Sequence, residues 1–229
     1  MKVTLSFENT ASDDVSIMVD ALRASTTITL GLNNFKRIIP CFTPEEAFLL
    51  KEKYDGVIAG ERGGEMIEGF DMGNSPQEVE HYETDKDTLI LTTSNGTRIL
   101  ENMKSKVLVG CMVNAKSVGS KSIKLAEDHI DVVMAGVRGS FALEDFLASG
   151  EILYRICQSL DEYEINDYAK AAILASRDYE AVKEGFYNSA SGRRLTKLNC
   201  RDDIECCLSK NVTDNVATYE NNELRLTKD

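Results

Sequence analysis

Four short stretches hold most of the residues able to do chemistry. The first runs Asp20, Ala21, Leu22, Arg23, Ala24, Ser25, Thr26, Thr27, a carboxylate and an arginine ahead of three hydroxyls. The second carries Gly60, Glu61, Arg62, Gly63, Gly64 and then Gly69, Phe70, Asp71, Met72, Gly73, Asn74, Ser75, Pro76. The third is Thr92, Thr93, Ser94, Asn95, Gly96, Thr97, and the fourth is Ala135, Gly136, Val137, Arg138, Gly139, Ser140 with Leu143, Glu144, Asp145 behind it. Arginines and hydroxyls bind anionic oxygens, and small residues let backbone N–H groups approach them. Asp20, Glu61 and Asp71 are hard oxygen ligands of the kind Mg²⁺ uses with a phosphorylated substrate. The chemistry expected is phosphoryl transfer. Taken singly, each stretch has a plainer reading: Ser25, Thr26 and Thr27 as a helix cap, the glycines as turns, Glu144 and Asp145 as complements of a helix dipole. The convergence of four such loops is the stronger argument.

The known phosphatase signatures are absent. An Asp-x-Asp site fails because Leu22 stands two positions after Asp20, and none of the six cysteines has an arginine six positions on. Arg-His-Gly, the Gly-x4-Gly-Lys-Ser/Thr loop and the Gly-x-Gly-x-x-Gly fingerprint are also missing. With His81 and His129 as the only histidines, both expected to be structural, proton transfer must rest on carboxylates, water or metal hydroxide.

These loops need a scaffold that aims them at one place. Apolar, β-rich runs over 3–7, 15–19, 37–39, 57–59, 89–91, 107–109 and 130–134 predict strands, several of them continuous enough for a parallel sheet covered on both faces. Thr43, Pro44, Glu46 and Ser75, Pro76, Glu78 match a capping box with proline at the first helical position. Further helices are expected over 24–31, 97–103, 115–126, 143–160, 168–175 and 179–190. The alternation predicts a three-layer α/β/α fold on a mainly parallel sheet, whose strand tips would carry the four loops. Beyond Gly192 the pattern weakens, except for a small edge hairpin over 216–219 and 223–226 around Asn221 and Asn222. The 229 residues are expected to form one α/β domain, or two closely packed α/β halves meeting near 115–140.

A net charge of −12 without a basic patch argues against nucleic acid and anionic membranes as partners. No apolar run approaches the roughly 18 residues of a membrane helix, and no secretory signal is evident, so a cytoplasmic protein with reduced cysteines is expected. Assembly as a homo-oligomer stays open.

The four loops, in this order and spacing, resemble the 2-phosphosulfolactate phosphatase family over about the first two thirds of the chain. The resemblance implies a Mg²⁺-dependent phosphatase of coenzyme M biosynthesis, releasing phosphate from (2R)-O-phospho-3-sulfolactate to leave (2R)-3-sulfolactate. The expected mechanism has Mg²⁺ held by some of Asp20, Glu61 and Asp71, and anionic oxygens clamped by Arg23 and Arg62. Ser25, Thr26, Thr27, Asn74, Ser75, Thr93, Ser94, Asn95, Gly96, Thr97 and Gly136 complete the substrate cradle. Asp20 is a nucleophile or a metal ligand, Ser25 is a second nucleophile candidate, and Glu144 or Asp145 supplies the acid for the leaving alkoxide. The alternatives are a phosphatase of another 2-hydroxy-acid phosphate and a protein that binds phosphorylated acids without turning them over.

Overall fold

The computed structural model describes residues 1–94, 99–100 and 103–227. Strand β2 (Val15–Val19) shows why the apolar runs are continuous, since all five of its side chains are buried. Val15, Ile17 and Val19 enter one core while Met18 enters another on the opposite face. The same split divides Ile130, Val132 and Met134 from Val133 in β8 (His129–Met134). A strand covered on both sides has no solvent face for polar residues.

The remaining strands are β1 (Lys2–Phe7), β3 (Arg37–Cys41), β4 (Val57–Arg62), β5 (Glu65–Met66), β6 (Thr88–Thr92), β7 (Lys106–Val109), β9 (Glu164–Ile165), β10 (Ala217–Glu220) and β11 (Glu223–Leu226). They form one sheet in the order β5-β4-β6-β3-β11-β10-β7-β2-β8-β1-β9. Strands β4, β6 and β3 run parallel, as do β7, β2, β8, β1 and β9. The expected C-terminal hairpin exists, but it lies at the centre rather than the edge. Strand β10 pairs antiparallel with β7, and β11 with β3 through Leu224 opposite Ile38, so the last strands of the chain join two parallel sets into one sheet. Ala217 and Leu224 are accordingly buried.

Helices flank the sheet. On one face α4 (Ala115–Leu125), α5 (Leu143–Gln158), α6 (Asp167–Ala175), α7 (Tyr179–Asn188), α8 (Ala190–Lys197) and α9 (Arg201–Leu208) contribute Val118, Ile152, Ala172, Phe186, Leu195 and Ile204 to the core over β1, β2 and β8. Ile28 of α1 (Ala24–Gly31) and Val79 of α3 (Pro76–Glu80) cover the other face, and Ala47 of α2 (Pro44–Tyr54) packs on Ile58 and Ile90. The two capping signals are realised: Thr43 Oγ1 accepts from Glu46 N at 3.1 Å and Ser75 Oγ from Glu78 N at 3.4 Å. Helices α8 and α9 occupy the segment where the sequence pattern weakens, and the helix expected over 97–103 falls largely outside the described residues.

Candidate active site

The carboxyl ends of β2, β4, β6 and β8 open onto one cleft, lined among others by Asp20, Arg23, Glu61, Asn74, Thr93, Ser94, Arg138 and Arg194. Asp20 follows the last residue of β2, and the next turn locks it from both sides. Its N–H donates to Ser25 Oγ at 2.8 Å, while Ser25 N donates back to its carbonyl at 2.9 Å. Arg23 is almost fully buried; its Nη1 contacts Asp203 of α9 at 2.5 Å and its Nη2 donates to the Gly64 carbonyl at 2.9 Å. The Leu22–Arg23 peptide bond is cis.

Glu61, at the end of β4, uses one oxygen on Gly64 N at 2.6 Å and the other on Ser94 N at 2.9 Å. It thereby ties the β4–β5 turn to the loop after β6. Gly64 can make this approach because its φ of 92° lies where a side chain is strained.

In the loop after β8, Val137 and Ser140 exchange backbone hydrogen bonds of 2.9 and 3.0 Å across a two-residue turn. Arg138 and Gly139 at its tip have φ of 51° and 78°, the signs a type I′ turn requires, and the turn presents Arg138 at the rim. Asp145, in the first turn of α5, fastens this loop to the Asp20 loop, with Oδ1 accepting from Ala21 N at 2.8 Å and Oδ2 from Gly136 N at 2.9 Å. Burial pushes the Asp145 carboxyl well above the usual range, and the charges of Asp20 and Glu144 push it further against those two donors. Glu144 is itself buried, and its Oε2 has no hydrogen-bond partner.

Several expected site residues are placed elsewhere. Arg62 is exposed and donates to the carbonyls of Glu61 and Phe42 and to Thr92 Oγ1, at 2.7, 2.6 and 3.0 Å, away from the cleft lining. Asp71 binds Lys51 Nζ at 2.8 and 2.7 Å and Ile58 N at 2.9 Å, which anchors the returning loop to β4. Asp20, Glu61 and Asp71 are therefore not gathered, and among the described residues no three His, Cys, Asp or Glu side chains form a group that could hold a metal ion. The hydroxyls of Ser25, Thr26 and Thr27 are buried rather than facing the cleft; Ser25 Oγ lies between Asp20 N and Met18 Sδ, and Thr27 Oγ1 donates to the Arg23 and Asn74 carbonyls. Ser75 donates to Asp203 Oδ1 at 2.6 Å. Glu144, Asp145 and Gly136 stand behind the lining. Asn95, Gly96 and Thr97 lie outside the described residues.

Sequence reasoning missed Ser191, Arg194 and Leu195 of α8, which close the cleft beside Gly64, and Asp203 behind Arg23. Neither histidine lines the cleft. His129 opens β8 at the end away from the cleft and pairs with Thr4 Oγ1 at 2.8 Å, while exposed His81 contacts the Gln77 carbonyl at 2.9 Å.

The arrangement suits an anionic phosphoryl group: buried carboxylates beneath, a fixed guanidinium beside them, and two further arginines at the rim. Comparison with known proteins agrees. The family model for 2-phosphosulpholactate phosphatase matches residues 2–222. The chain is 45% identical over its whole length to the 2-phosphosulfolactate phosphatase of Methanothermobacter thermautotrophicus, covering 97% of that protein. It is 34% identical to a probable 2-phosphosulfolactate phosphatase of Clostridium acetobutylicum (95% of this chain, 94% of the relative) and 35% identical to one of Caldanaerobacter subterraneus subsp. tengcongensis (93% and 90%). Strand-tip loops that converge on one arginine-lined cleft and a match that runs almost end to end lead to one conclusion: the chain belongs to the 2-phosphosulpholactate phosphatase family.

Proposed function

We propose that the cleft hydrolyses (2R)-O-phospho-3-sulfolactate to (2R)-3-sulfolactate and phosphate with Mg²⁺, as a step of coenzyme M biosynthesis. The observation that carries the reading is the gathering of Arg23, Arg138 and Arg194 around Asp20 in one cleft, three cations for a substrate with phosphate, sulfonate and carboxylate groups. The names of the full-length relatives support the choice of substrate.

Arg23, held from two sides, meets the phosphoryl oxygens and stabilises the charge that grows as the P–O bond breaks. Arg138 and Arg194, both exposed and both lining the cleft, take the sulfonate and carboxylate. Asn74 and Ser94 orient the ester between them. Mg²⁺ fits the acids beneath. The charges of Asp20 and Glu144 both bear on buried Asp145, and the unpartnered Glu144 oxygen is a donor that a cation would satisfy. Asp20 and Glu144 would hold it, in keeping with an ion that uses one or two carboxylates and completes its shell with substrate and water. When bound, the ion neutralises phosphoryl oxygens.

Phosphate release, measured over a panel of phosphorylated 2-hydroxy acids with Mg²⁺ and with EDTA, tests the reading. Turnover of the sulfonated ester that stops on chelation is expected. Preference for an unsulfonated acid, binding without release, or full activity under EDTA would overturn the substrate, the enzymatic role or the metal, respectively.

A further inference from the structure

Asp203 lies in the C-terminal helix α9, 180 positions from Arg23 in sequence, in a segment that carries none of the four loops. Both partners of its ion pair are almost completely buried, with side-chain exposures of 5% and 7%. The two carboxylate oxygens are divided between two loops. Oδ2 meets Arg23 Nη1 at 2.5 Å, and Oδ1 accepts from Ser75 Oγ at 2.6 Å. Gly64 O takes the other terminal nitrogen of Arg23 at 2.9 Å, so the guanidinium is held at both ends by groups from the β4–β5 turn and from α9.

We infer that Asp203 is a positioning residue for the phosphatase reaction, acting through Arg23. Arg23 lines the cleft and Asp203 does not, so apart from its charge Asp203 acts on the substrate only through the arginine. A guanidinium carries five N–H donors in a rigid fork; with one hydrogen bond to Asp203 and one to Gly64, three N–H bonds remain in the same plane. Fixing the fork before the ester arrives removes the reorganisation that a mobile arginine would need in the transition state. Ser75 completes the device, because its hydroxyl holds the second carboxylate oxygen while also capping α3. This inference rests on the phosphoryl-site reading of the cleft but not on which ester is the substrate.

The sign of one measurement separates positioning from charge. Asp203→Asn removes a negative charge beside an anion site, so long-range electrostatics alone predicts tighter binding of inorganic phosphate. Loss of positioning predicts weaker binding. With the full chain and Mg²⁺, calorimetric titration of inorganic phosphate is expected to give a Kd raised about tenfold in Asp203→Asn, with kcat on phosphosulfolactate lowered by a similar or larger factor. An unchanged or lower Kd in the folded variant overturns the inference, whatever happens to its Tm. Where Asp203→Asn does not fold, Asp203→Glu keeps the charge and moves the carboxylate; a raised Kd again supports positioning and an unchanged one overturns it. A wild-type chain that binds phosphate but releases none from phosphosulfolactate sinks the substrate assignment and leaves this test standing.

Discussion

An arginine acts on an oxyanion only when its donors face one, and Arg23 and Arg62 differ in this respect. Arg23 keeps donors beside the cleft, whereas Arg62 spends its terminal nitrogens on the Glu61 and Phe42 carbonyls and the Thr92 hydroxyl. Arg23→Lys retains the charge but loses the fork, and should reduce kcat/KM by the equivalent of about 1.5–3 kcal/mol. Arg62→Lys should stay within about threefold of wild type, as expected for an exposed contact. Steady-state kinetics of the two variants checks both, and equal losses would return Arg62 to the site. Asp20→Asn should keep the fold, because its backbone, locked to Ser25, is unaffected by the change. It should cost at least about 100-fold in turnover, the scale for a ligand or reacting group. Near-normal turnover with an unchanged circular dichroism spectrum would remove Asp20 from the centre.

Among the elements, β2, β4, β6 and β8 were readable because burial on both faces leaves a local signature, and their tips placed Asp20, Glu61, Thr93 and Gly136 correctly at the sheet's carboxyl end. Other features left no such mark. Whether Asp71 faces a substrate or Lys51 depends on the tertiary position of α2, and the central place of the last hairpin depends on partners more than 100 residues away. Helix α8 was invisible for a different reason: Ala190–Lys197 buries only Gly192 and Leu195, too little for a helical period to show. Gly192 nonetheless fixes the helix. A Cβ there would lie 1.8 Å from the Phe186 carbonyl oxygen, a backbone atom that cannot turn aside. Gly192→Ala should therefore force α8 away from α7 and destabilise the protein by about 1–3 kcal/mol. Because α8 carries Ser191 and Arg194 to the cleft, KM should rise in the same variant. Urea unfolding and KM measured together test the link, which fails if stability drops while KM holds.

Across the whole molecule the sheet separates two polar clusters, with the arginine-lined cleft at the carboxyl ends and a polar anchor at the amino end of β8. There Asp131, fully buried, accepts hydrogen bonds from Thr4, Ser6, Thr10 and Ala11 N, and His129 sits beside them on Thr4. Burial holds the His129 imidazole below its ordinary pKa, and Lys2 adds to the effect, although Asp131, Asp128 and Asp14 pull the other way. A histidine whose folded pKa is depressed binds fewer protons in the native than in the unfolded chain. Its contribution to stability is therefore complete above the unfolded value of about 6.5 and declines as pH falls through that value toward the lower folded one. Carboxylates titrate in the same direction at lower pH, so the histidine is isolated by difference. The urea midpoint of wild type minus that of His129→Gln should be constant between pH 7 and 8 and shrink from about pH 6.5 downward. A difference that grows on acidification would mean that the native state holds a protonated His129. The pH profile of phosphate release should be the same in both proteins, because no cleft-lining residue touches His129; a displaced profile would show that the two ends of the sheet are coupled.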